Sequence, residues 1–507
     1  MISRVMNQQY IDLVQRLEEI SHLSGVMSTL SWDQEVMMPI GASESRAKQI
    51  ATLAGIIHER ATDPALGDCL ATLQEVSKAR AWGVTEQCNI HEALRNYEME
   101  TRVPKRLVQE IAELSSRGQG IWVAARQDNK FSDFAPVLKR FLSLKIEWAQ
   151  CVLPNLLPYD ANIDLYERGT TMAMLTPIFE CLKLELIPLI NTIRSYSYQP
   201  DTVFLQGKFE KKKQETLARK ISRDIGFDFD RGRMDESVHP FCGGSHPTDV
   251  RITTRYANSN FIESLYSVIH ETGHALYEQG RPYHLGDFPV TESSTMAIHE
   301  SQSLFWERMV AQSKFFCVHY FDLFYKTFPE NLQSVNAEEF YRAINTCKPD
   351  FIRVEADEVT YPLHVILRYE IERGLFDGSM AVEDLPEIWN ELMQQYLGIK
   401  PPTDTLGVLQ DSHWGGGAFG YFPSYTLGAL YACQFYQALL KEQPDTERNI
   451  AIGNFSPIKQ WLNEKIHRHG KLYSPQELIQ KVTGESLNPD YFIAYLKKKY
   501  HEVYQLA

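Results

Sequence analysis

Three residues near the middle of the sequence have the types and spacing of a metal site: His270, Glu271 and His274, in the segment HETGH. Four residues make just over one helical turn, so the two histidines project from one face of a helix and can place two imidazole nitrogens about 2 Å from one ion. Glu271 follows the first histidine and can act on a water at that ion as a general base. The pattern predicts a hydrolytic zinc site; two histidines that only pack and hydrogen-bond are the alternative.

A hydrolytic zinc ion needs a third protein ligand and one position left open for water. Glu300 is our candidate, because Ser293 and Ser294 are typical helix caps and would begin a second helix that carries Glu300 in its first turns. His299 and Glu292 are the competing candidates, and His299 is expected to point almost opposite to Glu300. Histidine and carboxylate ligands accept cobalt as well as zinc, so the residues leave the ion open.

The segments around these residues favour helix. Apolar residues recur at three- and four-residue intervals in residues 10–23 and again in residues 262–279, where Gly280 is the expected C-cap. Strand patterns are few, and the best is the alternating, β-branched run at residues 250–256. The sequence therefore predicts a mainly α fold with one small β-sheet.

No linker, low-complexity tract or internal repeat divides the chain, so we expect a single domain over residues 1–507, with the N-terminal helices (about 1–110) as a lobe over a cleft. The formal net charge of -14 argues against a nucleic-acid partner, because phosphate binding depends on clustered Lys and Arg. The sequence has neither a signal-peptide pattern nor an apolar run long enough for a membrane span. Its 8 cysteines form no C-x-x-C pair, which is typical of reduced thiols in a cytoplasmic protein.

Six short motifs occur in order along the chain. They are His239-Pro240-Phe241, Asp249-Val250-Arg251-Ile252-Thr253, HETGH from His270, HESQ from His299, IRVEAD from Ile352 and GVLQDSHW from Gly407. In this order they resemble the carboxypeptidase Taq family of metallocarboxypeptidases, gluzincin-type enzymes with the H-E-x-x-H motif. The early segment SWDQEVMMPIGASESRAKQIATLAG resembles the N-terminal region of the same family, so the resemblance spans nearly the whole chain.

The resemblance implies a mostly helical single-domain enzyme with a deep central groove, usually a homodimer, that releases single amino acids from peptide C-termini. It assigns the metal ligands to His270, His274 and Glu300, with one ion per chain, and the general base to Glu271. Zinc is the expected ion and cobalt the alternative.

One feature of the family pattern is absent from this chain. Many related peptidases have an aspartate four residues after the glutamate ligand, where this chain has Leu304. Groups that orient the metal-binding histidines must therefore lie elsewhere. Asp357 is the candidate.

The last two motifs supply candidates for substrate binding. Arg353 can form a bidentate pair with a peptide's terminal carboxylate, as the resemblance implies, or a structural salt bridge. Gln410 is a further substrate-binding candidate. His413 and Tyr425, with Tyr421 as the alternate, are candidate donors to the oxyanion, on a glycine-rich stretch that we expect to be flexible. Packed aromatic residues are the alternative for each tyrosine.

His239 and Arg251 lie on either side of a predicted loop. The resemblance implies that they belong to the closed end of the groove, where they would bind substrate and limit its length. A histidine and an arginine that brace a loop would look the same in sequence.

The residues alone are compatible with three functions. The first is a metal-dependent carboxypeptidase. The second is a helical metallo-oligopeptidase that cuts internally with the same H-E-x-x-H chemistry, and the third is a non-catalytic, metal-stabilised peptide-binding protein.

Overall fold

Helices form most of the chain, as the sequence predicted. The computed structural model describes residues 2–77 and 82–506; the predicted domain over 1–507 also includes Met1, residues 78–81 and Ala507, which lie outside the described residues. The helices are α1 (Ile2–Val36), α2 (Ser43–Ala61), α3 (Pro64–Ser77), α4 (Val84–Thr101), α5 (Lys105–Gln127), α6 (Phe131–Val152), α7 (Pro158–Asp164), α8 (Met172–Ser195), α9 (Lys211–Ile225), α10 (Phe261–Gly280), α11 (Met296–Leu304), α12 (Lys314–Thr327), α13 (Pro329–Leu332), α14 (Ala337–Ile344), α15 (Tyr361–Asp377), α16 (Leu385–Leu397), α17 (Pro423–Glu442), α18 (Thr446–Ala451), α19 (Ser456–Lys465), α20 (Pro475–Thr483) and α21 (Asp490–Tyr504).

Local sequence sets several helix ends. Asn336 and Ser474 accept hydrogen bonds from backbone N–H groups in the first turns of α14 and α20, and Glu339 and Glu477 bond back to them as capping boxes. Each such cap is worth about 1 kcal/mol of stability. Gly280 is the last residue of α10 and not its C-cap, because the chain leaves the helix with Arg281 in an extended conformation.

One small sheet of three strands lies beside α10. Its strands are β1 (Gly232–Glu236), β2 (Cys242–His246) and β3 (Asp249–Thr254), in the order β1-β3-β2. β3 pairs with β1 in parallel, with Met234 opposite Ile252, and with β2 in the antiparallel sense. β3 matches the strand predicted at residues 250–256. Val250 and Ile252 of β3 share a buried cluster with Val268 and Ala275 of α10, so the sheet supports the helix that carries the two histidines.

The N-terminal helices have an apolar cluster of their own. Leu13 and Leu17 of α1 pack with residues of α3 and α4, and with Phe288 and Val290 from the segment after α10. Trp32, near the end of α1, contacts two guanidinium groups on the sheet, those of Arg233 and Arg251, which lie 4.8 and 4.5 Å from its ring centre. These contacts fit the expected N-terminal lobe, although the single-domain assignment stays a prediction. Among the described residues, no helix is long and apolar enough to cross a membrane.

Candidate metal centre and substrate site

Helix α10 carries His270 and His274 on one face. The side chain of Asn260 accepts a hydrogen bond from the backbone N–H of Ile262 and so caps the helix. The two imidazole rings lie with centroids 5.0 Å apart and an interplanar angle of 80°. Both side chains keep some solvent exposure, 23% for His270 and 16% for His274.

Helix α11 brings Glu300 to the same point, but it does not begin as predicted. Ser293 and Ser294 precede it without capping it, since the backbone N–H of Ser294 donates to the hydroxyl of Tyr277 at 2.9 Å. The N–H of Ala297 donates instead to the carboxylate of Glu167 at 2.5 Å. A carboxylate distant in sequence therefore caps α11, which local sequence cannot reveal.

The three predicted ligands converge on one point. Oε2 of Glu300 lies 3.6 Å from Nε2 of His270 and 3.4 Å from Nε2 of His274. These separations are longer than hydrogen bonds and match the roughly 3.3 Å between ligand atoms that each lie about 2 Å from a tetrahedral ion. Within the described residues, a search for three or more neighbouring His, Cys, Asp or Glu side chains that could hold a metal ion finds His270, His274 and Glu300. The donor set fits a divalent cation.

Two glycines let the helices approach closely enough for this geometry. A Cβ on Gly273 of α10 would lie 2.5 Å from the carbonyl oxygen of Gln302 on α11. A Cβ on Gly428 of α17 would lie 2.5 Å from Cγ of Glu300. Glu300 is therefore seated between α10 and α17, where larger side chains would push it from the histidines.

Each histidine has a second partner on its other ring nitrogen. Oε2 of Glu307 lies 2.7 Å from Nδ1 of His270. Nδ1 of His299 lies 2.6 Å from Nδ1 of His274, and Nε2 of His299 lies 2.9 Å from Oε1 of Glu278. A neutral His274 that binds an ion through Nε2 carries its proton on Nδ1, so His299 accepts there and donates from Nε2 to Glu278.

Two sequence expectations about these partners are wrong, and Glu292, a competing candidate for the third ligand, is engaged elsewhere. His299 does not point away from the site, because its Nδ1 lies 2.6 Å from Nδ1 of His274. Asp357 accepts from the backbone N–H groups of Lys348, Val359 and Thr360 and so fixes the start of α15. Glu292 pairs with Lys471 at 2.5 Å.

Burial and neighbouring carboxylates shift the pKa values of the groups at this point. Burial lowers the pKa of His270, but the carboxylates of Glu300 and Glu307 outweigh it and raise that pKa well above its usual value. Burial lowers the pKa of His274 to about 4, which keeps that ring neutral as a ligand must be. Glu271 is 8% exposed, and burial raises its pKa to about 7. A carboxyl poised near neutrality suits a group that takes up and releases a proton.

Arg353 lies in a buried charge cluster. Its guanidinium contacts Asp411 at 2.9 and 3.0 Å and donates to the hydroxyl of Tyr361 at 3.0 Å. Arg368 of α15, which is fully buried, donates to the other oxygen of Asp411 at 2.6 Å. Two guanidinium groups thus share one carboxylate. The cluster carries an excess positive charge at low dielectric, where an anion is strongly attracted.

His413, Tyr421 and Tyr425 lie together beside this cluster. Nε2 of His413 lies 3.3 Å from the hydroxyl of Tyr425, and the rings of Tyr421 and Tyr425 meet with centroids 5.2 Å apart. The guanidinium of Arg353 lies 4.6 Å from the centre of the Tyr425 ring. Burial lowers the pKa of His413 to about 4, and Arg353 adds to this, so the ring is neutral near pH 7.

Gln410 braces the same region from the protein side. Its side chain accepts from the backbone N–H of Arg353 at 2.9 Å and donates to the carbonyl of Phe351 at 2.9 Å. In this arrangement it fixes the turn that carries Arg353.

The glycine-rich stretch after His413 packs closely against neighbouring backbone. Gly420 adopts φ 80°, and a Cβ there would lie 2.5 Å from the backbone of Asn162. A Cβ on Gly118 of α5 would lie 2.8 Å from the carbonyl oxygen of Gly415. The glycines permit close backbone packing here, and the sequence alone does not distinguish that use from mobility.

Arg251 and His239 both lie near Trp32. Arg251 pairs with Asp249 through two hydrogen bonds of 2.8 Å and lies 4.5 Å from the Trp32 ring centre. His239 is exposed and, with Trp32 and Phe241, lines a cavity of about 420 Å³ between α1 and β2. The two predicted residues therefore flank the contact between the N-terminal helix and the sheet.

Sequence reasoning missed Glu307, Arg368 and Asp411. The only signal for Glu307 is its spacing of seven residues from Glu300, which would place both on one face if α11 continued as a regular α-helix. The chain instead becomes π-helical at Phe305–Ala311. Arg368 stands out as a cation within the apolar run LHVILRYEI. Asp411 belongs to the QDSHW segment already singled out. Only the structure pairs it with two arginines from separate elements.

The chain is similar to known proteins over nearly its whole length. Residues 12–500 match the family described as carboxypeptidase Taq (M32) metallopeptidase. Carboxypeptidase 1 of Bacillus subtilis (strain 168) is 40% identical over 501 residues, covering 98% of this chain and 99% of that protein. Thermostable carboxypeptidase 1 of Thermus thermophilus is 38% identical over 505 residues, covering 98% and 99%. The crystal structure of a carboxypeptidase from Deinococcus radiodurans R1 has a TM-score of 0.95 at 37% identity, covering 98% of this chain and 100% of that one. This chain therefore belongs to the carboxypeptidase Taq metallopeptidases.

Proposed function

We propose that this protein is a zinc-dependent carboxypeptidase that releases single amino acids from the C-termini of peptides. The observation that carries the proposal is the convergence of His270, His274 and Glu300 on one point, beside a buried cluster in which Arg353 and Arg368 share the carboxylate of Asp411. Family membership supports a metallopeptidase and does not favour an internal-cutting oligopeptidase or a non-catalytic binding protein.

The metal ligands in this proposal are His270, His274 and Glu300, with one ion per chain. Zinc suits two imidazoles and a carboxylate with an open position, and cobalt is the alternative. A bound ion would supply Lewis-acid chemistry, polarising the scissile carbonyl and acidifying a water.

The remaining steps belong to the protein. Glu271 takes the proton of the attacking water and returns it to the leaving amine, for which its buried carboxyl with a pKa near 7 is suited. Tyr425 donates a hydrogen bond from its hydroxyl to the developing oxyanion, with Tyr421 as the alternate. His413 either donates a second hydrogen bond or orients Tyr425 through their contact. No covalent intermediate is needed.

The terminal carboxylate is bound by Arg353 in this proposal. Asp411 neutralises one of the two guanidinium charges in the cluster, so a substrate carboxylate entering beside His413 and Tyr425 would neutralise the other. Gln410 contributes by holding the Arg353 backbone. The alternative is that Arg353 serves only as a structural partner of Asp411.

Substrate length is limited, in this proposal, where α1 meets the sheet. His239 lies at the rim of the cavity between them, and Arg251 acts there through Trp32. The resemblance further supports a homodimer, and the 8 free cysteines among the described residues suit a cytoplasmic protein. Peptides are the expected partners.

Timed mass spectrometry of an unblocked peptide incubated with metal-loaded protein tests the proposal. A ladder of products shortened one residue at a time from the C-terminus is the expected result. An internal cut would support the oligopeptidase, and binding without cleavage would support the non-catalytic protein. Either outcome overturns the proposal.

A further inference from the structure

A buried carboxylate on α15 contacts both ends of the glycine-rich turn at residues 414–420. Oε1 of Glu372 accepts from the indole N–H of Trp414 at 2.8 Å, and Oε2 accepts from the backbone N–H of Gly420 at 2.8 Å. Oε2 also accepts from the hydroxyl of Tyr159 at 2.9 Å. Glu372 is fully buried, so all three bonds form away from water.

The turn joins two residues of the proposed site. His413 immediately precedes Trp414, and Tyr421 immediately follows Gly420. Any shift of either end of the turn therefore moves a side chain that faces the reacting groups. The glutamate fixes both ends at once.

The same helix face also holds the segment just before the turn. Arg368 lies four residues before Glu372 on α15, one helical turn away, and binds Asp411. Residues 411, 414 and 420 are thus each bound by a charged side chain of α15. The helix acts as a rigid support for the segment.

We propose that Glu372 is a positioning residue that holds His413 and Tyr421 in their working places by binding both ends of the turn between them. The inference rests on the proposed roles of those two residues. A carboxylate is required because all three partners are donors, whereas an amide would present its own N–H groups to one of them. A displacement of about 1 Å in such a site can cost on the order of 10²-fold in rate.

The test compares Glu372→Gln with Tyr159→Phe, which removes one hydrogen bond from Glu372 without touching the turn. With any peptide that the wild type cleaves, we expect Glu372→Gln to lower kcat about 10- to 100-fold, with KM within about threefold and metal content unchanged. Tyr159→Phe is expected to keep kcat within about threefold of the wild-type value, even if the Tm of both variants falls by the same amount. Equal kcat losses in the two variants would mean general destabilisation and would overturn the inference.

A second comparison separates positioning from a merely structural role. In a variant that already carries His413→Ala and Tyr421→Phe, adding Glu372→Gln is expected to lower kcat by less than about threefold, because Glu372 acts through those two side chains. The same loss in both backgrounds, or full kcat in Glu372→Gln, would overturn the inference. If Glu372→Gln does not fold, Trp414→Phe removes one of the bonds and keeps the ring; unchanged kcat there would also overturn it. Products are identified by mass. An internal cut by the wild type would refute the proposed function, but the effect of Glu372→Gln on kcat could still be measured.

Discussion

Glu271 follows His270, a proposed metal ligand, and is almost completely buried. Its carboxyl accepts and releases a proton in the proposed reaction, whereas the metal is held by other side chains. Glu271→Gln preserves the shape and removes the base, so we expect full metal content with turnover reduced by roughly 10² to 10⁴. Metal analysis and kcat on one peptide check both parts. A variant that keeps more than about a tenth of the wild-type rate would remove Glu271 from this role.

His299 illustrates what residue types alone could not decide. Its contact with Nδ1 of His274 makes it an orienting partner of a metal ligand. His299→Ala is therefore expected to lower metal affinity about 10- to 100-fold, as loss of such partners typically does. His467 is a matched control, because it is equally close to α10 and binds Gln302 without touching a ligand. Competition with a metal-binding dye measures both, and equal affinities in the wild type and His299→Ala would contradict the assignment.

At the scale of elements, the site depends on how closely α11 fits between α10 and α17. A Cβ at Gly428 would lie 2.5 and 2.7 Å from atoms of the Glu300 side chain. Gly428→Ala should displace Glu300 and lower metal affinity at least about tenfold, with a loss of stability of about 1–3 kcal/mol.

Gly120 provides the control for that substitution. It lies on α5 with nothing within 4 Å of a Cβ position, so Gly120→Ala should raise stability by up to about 1 kcal/mol and leave metal affinity unchanged. Urea unfolding and metal titration of both variants provide the comparison. Wild-type affinity in Gly428→Ala would show that the close approach does not position the ligand.

The elements were predictable where their own sequence sets them. Helix α10 was expected at residues 262–279 and spans Phe261–Gly280; β3 was expected at residues 250–256 and spans Asp249–Thr254. The start of α11 was missed because Glu167, far away in sequence, caps it. The π-helical stretch Phe305–Ala311 that carries Glu307 has no clear local pattern either, since packing determines its register.

The residues of the candidate site were likewise predictable where local sequence determines them, and unpredictable where packing between distant elements does. His270, His274 and Glu300 could be predicted together because one helical spacing and one ordered set of motifs point to them. Arg368 and Asp411 could not be paired from sequence, because their contact depends on how α15 packs against the loop before the glycine-rich turn. The close packing of that turn likewise depends on neighbours that its own composition does not specify.

At the scale of the whole molecule, metal binding should contribute to folding stability. The three ligands come from two helices, so the complete site exists only in the folded state. An ion at a thousandfold excess over its Kd stabilises that state by about 4 kcal/mol, on the order of 4 °C in Tm for a chain of this size. Melting of chelated and reloaded protein checks this. Glu271→Gln should show the same metal-dependent increase in Tm as the wild type. An identical Tm for the chelated and the reloaded wild-type protein would contradict the proposed metal site.

The central claim is that the cationic cluster restricts cleavage to the end of a peptide. An amidated C-terminus would leave the excess charge of Arg353, Asp411 and Arg368 unbalanced, at a cost of about 2–5 kcal/mol by comparison with broken charge pairs. That cost corresponds to a rate loss of roughly 30- to several-thousand-fold. Arg353→Lys keeps the charge without the bidentate geometry. Its preference for the acid form of the peptide should therefore lie between that of the wild type and that of Arg353→Ala.

The most direct test is kcat/KM for the acid and amide forms of one peptide, measured with the wild type and with Arg353→Ala. We predict that the wild type strongly prefers the acid, whereas Arg353→Ala is slow on both forms and nearly indifferent to amidation. If Arg353→Ala kept the full preference for the acid, another group would read the carboxylate, and Arg353 would be only a structural partner of Asp411.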